Sequence, residues 1–264
     1  MYNHNNILTD CITGEKFISL ANGVDVFYRH THDVNDFFWS RECQKDKKFI
    51  LISHNSDGYI GKPPSRRDCA NVNLIPDNLI HWFGQNVNIV NERIESIPIG
   101  LENDKWFLGV RKKEKMLLKL KEEKTFKNLL YINHNPRTNP EKREGIYEMF
   151  SQKCKCWVTI EIGINGVNFD SYLNNIYNHK FVICPEGNGI DTHRTWECLY
   201  MGTIPIEKKN INNQFYTDLP ILFVNDWEEI TEELLVKEYQ RIKKTKWNLD
   251  KLSFDYWKNR INGN

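Results

Sequence analysis

The residues best suited to chemistry follow one short apolar run in the second half of the chain. Residues 180–206 read KFVICPEGNGIDTHRTWECLYMGTIPI, and the apolar run stops at Pro185. Gly187 and Gly189 come next, and glycines allow a backbone to turn sharply and to approach a ligand closely. This pattern is typical of a loop that closes around a small molecule.

A helix is predicted directly after this loop, with Asp191 or Thr192 as its cap. His193 and Arg194 then lie in the first helical turn, where the helix dipole disfavours cations. A bound anion removes this conflict, because exposed N–H groups, the dipole and the Arg194 guanidinium would together hold a phosphate. The spacing therefore predicts a phosphate site at the start of this helix.

Two carboxylates, Glu186 and Glu197, flank the same turn. Carboxylates beside a phosphate site suit sugar or ribose hydroxyls better than they suit the phosphate itself. Gly202 is a reasonable end for the helix, and Pro205 falls in the next strand. The segment therefore indicates a ligand that carries both phosphate and hydroxyl groups.

The elements around this segment alternate between strand and helix. Apolar runs predict strands at residues 128–135, 154–160, 180–187, 203–207 and 219–224. Helices are predicted from 139 to about 150, at 169–179 and 192–201, and from 226 to about 246. A repeated β-α-β pattern implies a parallel, doubly wound sheet, which binds ligands beyond the carboxyl ends of its strands.

The first half of the chain has shorter strands and more polar connections. Strands are predicted at residues 24–30 and 48–57, a short strand or turn at 78–86, and a strand-to-loop segment at 96–103. Residues 111–124 form a charge-rich amphipathic helix with both signs interspersed, which favours a solvated face. We place a domain boundary at the end of this charge-rich helix, which gives domains at 1–125 and 126–264. The last helix of the chain is able to pack back on the first domain.

Residues 180–206 resemble the nucleotide-sugar-binding half of GT-B glycosyltransferases, specifically those of the exostosin-like family. The matching residues are Cys184-Pro185-Glu186-Gly187, Arg194, Trp196-Glu197 and Gly202-Thr203-Ile204-Pro205. Residues 127–144 and 219–227 are more weakly similar, and residues 52–57 and 97–103 look like the acceptor-side domain. The resemblance implies an α/β fold of GT-B type. Two Rossmann-like, doubly wound parallel-sheet domains would face a cleft, and the N-terminal domain would be trimmed.

The resemblance also implies an activity. A glycosyltransferase of this type moves a sugar from a nucleoside-diphosphate donor, with UDP-sugar as the default, to a glycan or protein acceptor. No cofactor or bound metal is expected beyond this co-substrate, and the chain has no Asp-x-Asp motif. The alternative is a non-catalytic protein on the same fold that binds a nucleotide sugar or a glycan.

The resemblance assigns roles to particular residues. Arg194 would bind the diphosphate, and Glu197 would bind ribose or sugar hydroxyls. Asp191 is either a helix cap or a donor ligand. The other donor-binding candidates are Glu186, Gly187, Asn188, Gly189, His193, Arg137 and Arg143.

The acceptor side carries the candidates for catalysis. An inverting transferase needs a base beside the acceptor hydroxyl, whereas a retaining enzyme does not require one. Asp57 and Glu102 follow predicted strand ends and are the candidate bases. His54, Trp82 and Trp106 are the candidates for acceptor binding, the tryptophans by stacking on sugar.

Charge and hydropathy exclude other classes. A formal net charge of +1 argues against a general nucleic-acid binder. No apolar run reaches the roughly 18–20 residues that span a bilayer, and the N-terminus does not resemble a signal peptide. We therefore expect a cytoplasmic protein whose seven cysteines are reduced thiols rather than zinc ligands.

Overall fold

The computed structural model describes residues 4–43, 47–62, 69–106, 109–152, 156–162 and 168–263. Within these ranges the strands are β1 (Val26–His30), β2 (Phe49–His54), β3 (Ile60–Gly61), β4 (Ala70–Asn71), β5 (Leu79–Gly84), β6 (Ile94–Ser96), β7 (Asn128–Ile132), β8 (Val158–Ile160), β9 (His179–Ile183), β10 (Ile204–Lys208) and β11 (Leu222–Val224). The helices are α1 (His4–Thr9), α2 (Gly14–Ile18), α3 (Val34–Phe38), α4 (Gly109–Lys119), α5 (Pro140–Arg143), α6 (Ile146–Gln152), α7 (Phe169–Asn178), α8 (His193–Tyr200), α9 (Glu232–Lys244) and α10 (Phe254–Asn262).

The first sheet has the strand order β1-β2-β5-β6, and all of its pairs are parallel. All six residues of β2 are buried, as expected for a parallel strand covered on both faces. The expectation of a doubly wound sheet is wrong here. Each connection between these strands moves the chain one position further in the same direction, so the described strands contain no reversal of order.

The second sheet has the order β11-β10-β9-β7-β8 and is also parallel throughout. Here the chain reverses direction, because β8 lies outside β7 while β10 and β11 extend beyond β9. The predicted doubly wound topology is therefore present in this half. The loops after β7 and β9 diverge at the reversal, and such a switch point is where open α/β sheets bind ligands.

Several helices differ from the sequence expectations for local reasons. The helix predicted from residue 139 to about 150 is divided into α5 and α6, because Gly145 adopts a left-handed φ of +79°. The helix predicted from residue 226 starts instead at Glu232, where the Thr231 side chain accepts a hydrogen bond from the Leu234 N–H. The charge-rich helix, α4, ends at Lys119 rather than at residue 124.

The largest apolar core takes residues from both sheets. Ile50 and Phe83 of the first sheet belong to the same buried cluster as Tyr131 and Val182 of the second. The two sheets therefore share a continuous core, and the division at residue 125 stays a prediction.

The last helix, α10, packs against the N-terminal part of the chain. The Phe254 N–H donates to the Asp10 carbonyl at 2.9 Å, and the Phe254 ring meets Phe17 edge-on at 5.5 Å. Further along α10, Arg260 forms an ion pair with Glu95 at 2.8 Å. These contacts tie the end of the chain to the first sheet.

Candidate functional site

Two cavities open at the carboxyl ends of the strands. The first cavity, about 310 Å³, is lined mainly by residues at the ends of β1, β2 and β5 and in the loop after β6. The second cavity, about 460 Å³, is lined mainly by the loops that follow β9, β10 and β11. Asp57 lines both cavities, so they adjoin at the loop after β2.

The predicted glycine-rich loop borders the second cavity. Glu186, Gly187, Asn188 and Gly189 all line it. They follow β9, which is one of the two strands at the switch point of the second sheet. The structure thus brings together four of the residues predicted to bind the donor, at the edge where parallel sheets bind ligands.

Asn86 connects this loop to the loop of Asp57. Its Oδ1 accepts a hydrogen bond from the Asp191 N–H at 2.8 Å, and its Nδ2 donates to the Gly58 carbonyl at 3.1 Å. A Cβ on Gly189 would lie 2.7 Å from the same Nδ2. Sequence analysis did not identify Asn86, because a single asparagine after a strand carries no distinctive pattern.

Arg194 lies behind the loops after β7 and β9 and lines neither cavity. Its Nε donates to the Tyr172 hydroxyl and its Nη2 to the Asn133 Oδ1, both at 3.3 Å. Its Nη1 is buried and has no hydrogen-bond partner among the described residues. The buried Thr192 Oγ1 and His134 Nδ1 likewise have no such partner in the described part of the chain. Buried donors without partners are costly, so an anion beside Arg194 would be stabilised.

Arg143 holds two loops together instead of presenting its charge to the second cavity. Its Nε donates to the Glu186 carbonyl at 2.8 Å, and its Nη1 donates to the Asn135 carbonyl at 3.1 Å. Burial and the charge of Arg194 lower the pKa of Arg143 to about 10. Arg143 therefore joins the loops after β7 and β9, in place of the predicted contact with the sugar-nucleotide donor. Arg137 is exposed and lines neither cavity.

Glu197 has a different role from the one predicted. It is 3 % exposed, and its Oε1 accepts from the Lys112 Nζ at 2.8 Å while its Oε2 accepts from the Tyr172 hydroxyl. Burial alone would raise the pKa of Glu197, but the charge of Lys112 holds this pKa at about 2. Both oxygens are therefore engaged inside the protein, and Glu197 is not placed to bind ribose or sugar hydroxyls.

Asp191 is buried and joins the loop after β9 to the first half of the chain. Its Oδ2 accepts from the Ile99 N–H at 2.7 Å, and its Oδ1 accepts from the Trp196 Nε1 at 2.8 Å. Burial raises its pKa to about 7. Thr192 occupies the N-cap position of α8 without a side-chain cap bond. Asp191 is therefore neither the cap nor a cavity-lining donor ligand.

Three histidines line the first cavity, and two of them, His54 and His193, were predicted site residues. His54 is buried, its Nε2 bonds to the Pro98 carbonyl at 2.9 Å, and its Nδ1 accepts from the Asn55 N–H at 2.7 Å. Burial lowers the pKa of His54 to about 4. His193 contacts the Gly100 carbonyl through Nδ1 at 2.7 Å. It faces the first cavity rather than the predicted donor loop.

The two candidate bases also lie on the first cavity. Asp57 is exposed and occupies the junction with the second cavity. Glu102 forms an ion pair with Lys112 at 3.2 Å, and Lys112 also binds Glu197. Of the two carboxylates, Asp57 borders both cavities and Glu102 only the first.

The two candidate tryptophans have opposite environments. Trp82 is completely buried, its Nε1 donates to the Ser53 Oγ at 2.8 Å, and its ring packs edge-on against Phe38. A ring without exposed surface cannot stack on a sugar, so this prediction is wrong. Trp106 is 58 % exposed and lines the first cavity, where it presents the kind of aromatic face that sugars stack on.

Sequence analysis missed three further cavity residues. Glu207 is the next-to-last residue of β10 and lines the second cavity. Its Oε1 accepts from the Thr195 Oγ1 and its Oε2 from the Asn213 Nδ2 at 3.3 Å, and burial raises its pKa to about 7. Gln85 and His30 line the first cavity, where the buried Gln85 Oε1 and His30 Nδ1 have no hydrogen-bond partner within the described ranges. All three lie at or next to strand ends, and this position was the sequence feature that could have identified them as site residues.

Two further observations concern metals and membranes. The described residues contain no group of three or more His, Cys, Asp or Glu side chains arranged to hold a metal ion. None of the helices that the structure describes is long and apolar enough to cross a membrane. Six cysteines fall within the described ranges and all are free, whereas Cys154 lies outside them.

Fold and site together define an α/β protein with a cleft at the carboxyl ends of two parallel sheets. No protein-family model matches the sequence, and no curated protein matches it significantly. Among solved structures, the chain is similar to a crystal structure of an α1,3-fucosyltransferase. The TM-score is 0.41 and the identity 13 %, over 94 % of this chain and 93 % of the other. A similarity at this level does not assign the chain to a family.

Proposed function

We propose that the protein is a glycosyltransferase that moves a sugar from a nucleoside-diphosphate donor in the second cavity to an acceptor hydroxyl in the first. The observation that carries this proposal is the meeting of the two cavities at Asp57. Transfer between two substrates requires that both reach one point, and proximity of the reacting groups supplies much of the rate enhancement. The sequence resemblance of the loop after β9 to nucleotide-sugar sites supports the same assignment.

The diphosphate would lie where α8 meets the loop after β9. Helix α8 presents first-turn N–H groups, since the Thr192 side chain does not cap them. The Arg194 Nη1 is buried and has no partner among the described residues. These donors would stabilise negative charge on the leaving diphosphate, which is the transition-state contribution that a transferase without a metal needs.

Carboxylates and amides in the second cavity would bind the hydroxyl groups of the donor. Glu186 and Asn188 lie on the loop after β9 and line this cavity. Glu207 lines it as well, but its Oε1 accepts from the Thr195 Oγ1 and its Oε2 from the Asn213 Nδ2. UDP-sugars are the first donors to test.

The acceptor would occupy the first cavity. Trp106 offers an exposed ring, and the buried Gln85 Oε1 and His30 Nδ1 offer polar atoms that sugar hydroxyls can satisfy. Asp57 and Glu102 are the carboxylates that sequence analysis proposed as bases, and the ion pair of Glu102 with Lys112 favours Asp57.

A thermal-shift screen tests the proposal. The protein is heated with UDP-, GDP-, CDP- and dTDP-sugars, with and without EDTA, and the Arg194→Ala and Arg137→Ala variants are measured beside it. We expect one nucleotide to stabilise the protein with or without EDTA, and the effect to be lost in Arg194→Ala only. Arg137 is the matched control, since it is an exposed arginine, whereas Arg194 has a buried Nη1 without a partner among the described residues. The absence of any shift in the unaltered protein would refute the proposed donor site.

A further inference from the structure

One imidazole in the first cavity is held in an orientation that suits proton transfer. His193 is the first residue of α8, and its ring lines the cavity together with Asp57 and Glu102. Its Nδ1 lies 2.7 Å from the Gly100 carbonyl oxygen. The other ring nitrogen, Nε2, has no hydrogen-bond partner among the residues that the structure describes.

This hydrogen bond determines the tautomer of the ring. A carbonyl oxygen only accepts hydrogen bonds, so Nδ1 must carry the proton. In the neutral imidazole the lone pair then resides on Nε2. His54 has the opposite arrangement, because its Nδ1 accepts a backbone N–H and its Nε2 donates to the Pro98 carbonyl. Of these two imidazoles, His193 is therefore the one whose lone pair is not used by a hydrogen bond among the described residues.

The carbonyl that orients His193 is itself rigidly placed. Gly100 has a φ of +67°, and a Cβ at this position would lie 2.3 Å from the Ile12 carbonyl oxygen. The next residue, Leu101, donates its N–H to the same Ile12 carbonyl at 2.8 Å. The Gly100 carbonyl is thus held by a conformation that only glycine accommodates here.

Charged groups surround the His193 ring. His193 begins α8, and Glu197 lies one turn later on the same helix. The charged or titratable groups that line the cavity or lie near His193 are His30, His54, Asp57, Glu102, Lys105, Lys112, Arg194 and Glu197.

We propose that His193, rather than Asp57, is the general base that takes the proton from the acceptor hydroxyl. This inference rests on the proposed function. The His193 Nε2 accepts the proton while the hydroxyl oxygen bonds to the anomeric carbon of the donor sugar. The bond from that carbon to the diphosphate oxygen breaks, and its electron pair leaves with the nucleoside diphosphate. The imidazolium then returns its proton to water.

The tautomer can be measured without turnover. Long-range proton–nitrogen NMR on the full chain with labelled histidine, assigned by comparison with His193→Gln, should show that the neutral His193 ring carries its proton on Nδ1. A proton on Nε2 would overturn the inference, because Nε2 would then have no lone pair to take the proton of the acceptor hydroxyl.

Kinetics test the role of the lone pair. With the nucleotide sugar that binds and a panel of monosaccharide acceptors, release of nucleoside diphosphate is measured as a function of pH. His193→Gln should lower kcat/KM roughly 10²- to 10⁴-fold and remove the decline of the rate toward low pH, while donor binding is unchanged. His81→Gln is the matched control, since His81 lies on β5 beside Glu95 and lines neither cavity.

The comparison with Asp57→Asn separates the alternatives. If Asp57→Asn removes the low-pH decline and His193→Gln keeps it, the base is Asp57 and the inference is wrong. Failure of every nucleotide sugar to bind the unaltered protein would refute the proposed function instead. In that case the NMR measurement still reports whether His193 has the tautomer on which the inference depends.

Discussion

Removing the charge of Glu197 should destabilise the protein strongly, because it leaves Lys112 buried without its closest partner. The side chains of Glu197 and Lys112 are 3 % and 13 % exposed, and their charged atoms are 2.8 Å apart. A carboxyl pKa held at about 2 instead of 4.5 corresponds to about 3 kcal/mol of stability at neutral pH, at about 1.4 kcal/mol per pKa unit. Breaking a buried pair typically costs about 3–5 kcal/mol, which agrees with this value.

Urea unfolding followed by tryptophan fluorescence measures this effect. Glu197→Gln should lower the free energy of unfolding by about 3 kcal/mol, equivalent to a decrease of roughly 6–12 °C in Tm for a chain of this size. Glu102→Gln is the control, since Glu102 binds the same lysine with a side chain that is 27 % exposed. It should cost less than about 1 kcal/mol. Adding Lys112→Met to Glu197→Gln should restore part of the loss, because no unpaired charge then remains.

The pH dependence gives a second check on the same pair. Because the folded-state pKa of Glu197 is below its ordinary value, the contribution is complete above about pH 4.5. It is lost as the pH falls toward 2. The difference in unfolding free energy between the unaltered protein and Glu197→Gln should shrink over that range. A difference below about 1 kcal/mol at neutral pH, or one that does not change with pH, would refute the reasoning.

Three further predictions concern the two cavities. Gly189→Ala should weaken nucleotide-sugar binding in calorimetry, because its Cβ would lie 2.7 Å from the Asn86 Nδ2; unchanged affinity would contradict this. Trp106→Ala should raise the KM for a saccharide acceptor without changing Tm, since the ring is 58 % exposed, whereas Trp82→Ala should cost about 3–5 kcal/mol of stability. Burial raises the pKa of Glu207 from 4.5 to about 7. The unaltered protein should therefore lose stability relative to Glu207→Gln as the pH rises through that range. If urea unfolding gives the same pH dependence for both proteins, this prediction is wrong.

The donor loop shows how far local patterns extend. The order strand, Pro185, two glycines and helix start predicted that Glu186, Gly187, Asn188 and Gly189 would border one site, and the structure places them on one cavity. They lie together because adjacent residues on a loop share an environment whatever surrounds them, and their contact with a donor stays a prediction. The phosphate role of Arg194 remains a proposal, supported by its unpaired Nη1, which no sequence pattern contains.

Residues distant in sequence were predicted less well. Glu197 was assigned to the ligand because it lies one helical turn after Arg194, but its partner Lys112 comes from α4, 85 residues away. Arg143 has the charge of a phosphate ligand, yet its donors are directed to the carbonyls of Glu186 and Asn135. In both cases the direction of the side chain depends on elements that meet only after folding.

By itself, the sequence determined the alternation of strand and helix in the second half, the parallel direction of the second sheet and the position of the loop after β9. These follow from hydrophobic periodicity, glycine and proline, which act over a few residues. Only the tertiary structure decided that Trp82 is core and Trp106 is exposed, that the first sheet has no reversal among its described strands, and that Asn86 connects the loop after β9 to the loop of Asp57. Those outcomes depend on which surfaces pack together, and burial is a property of the whole fold rather than of any segment.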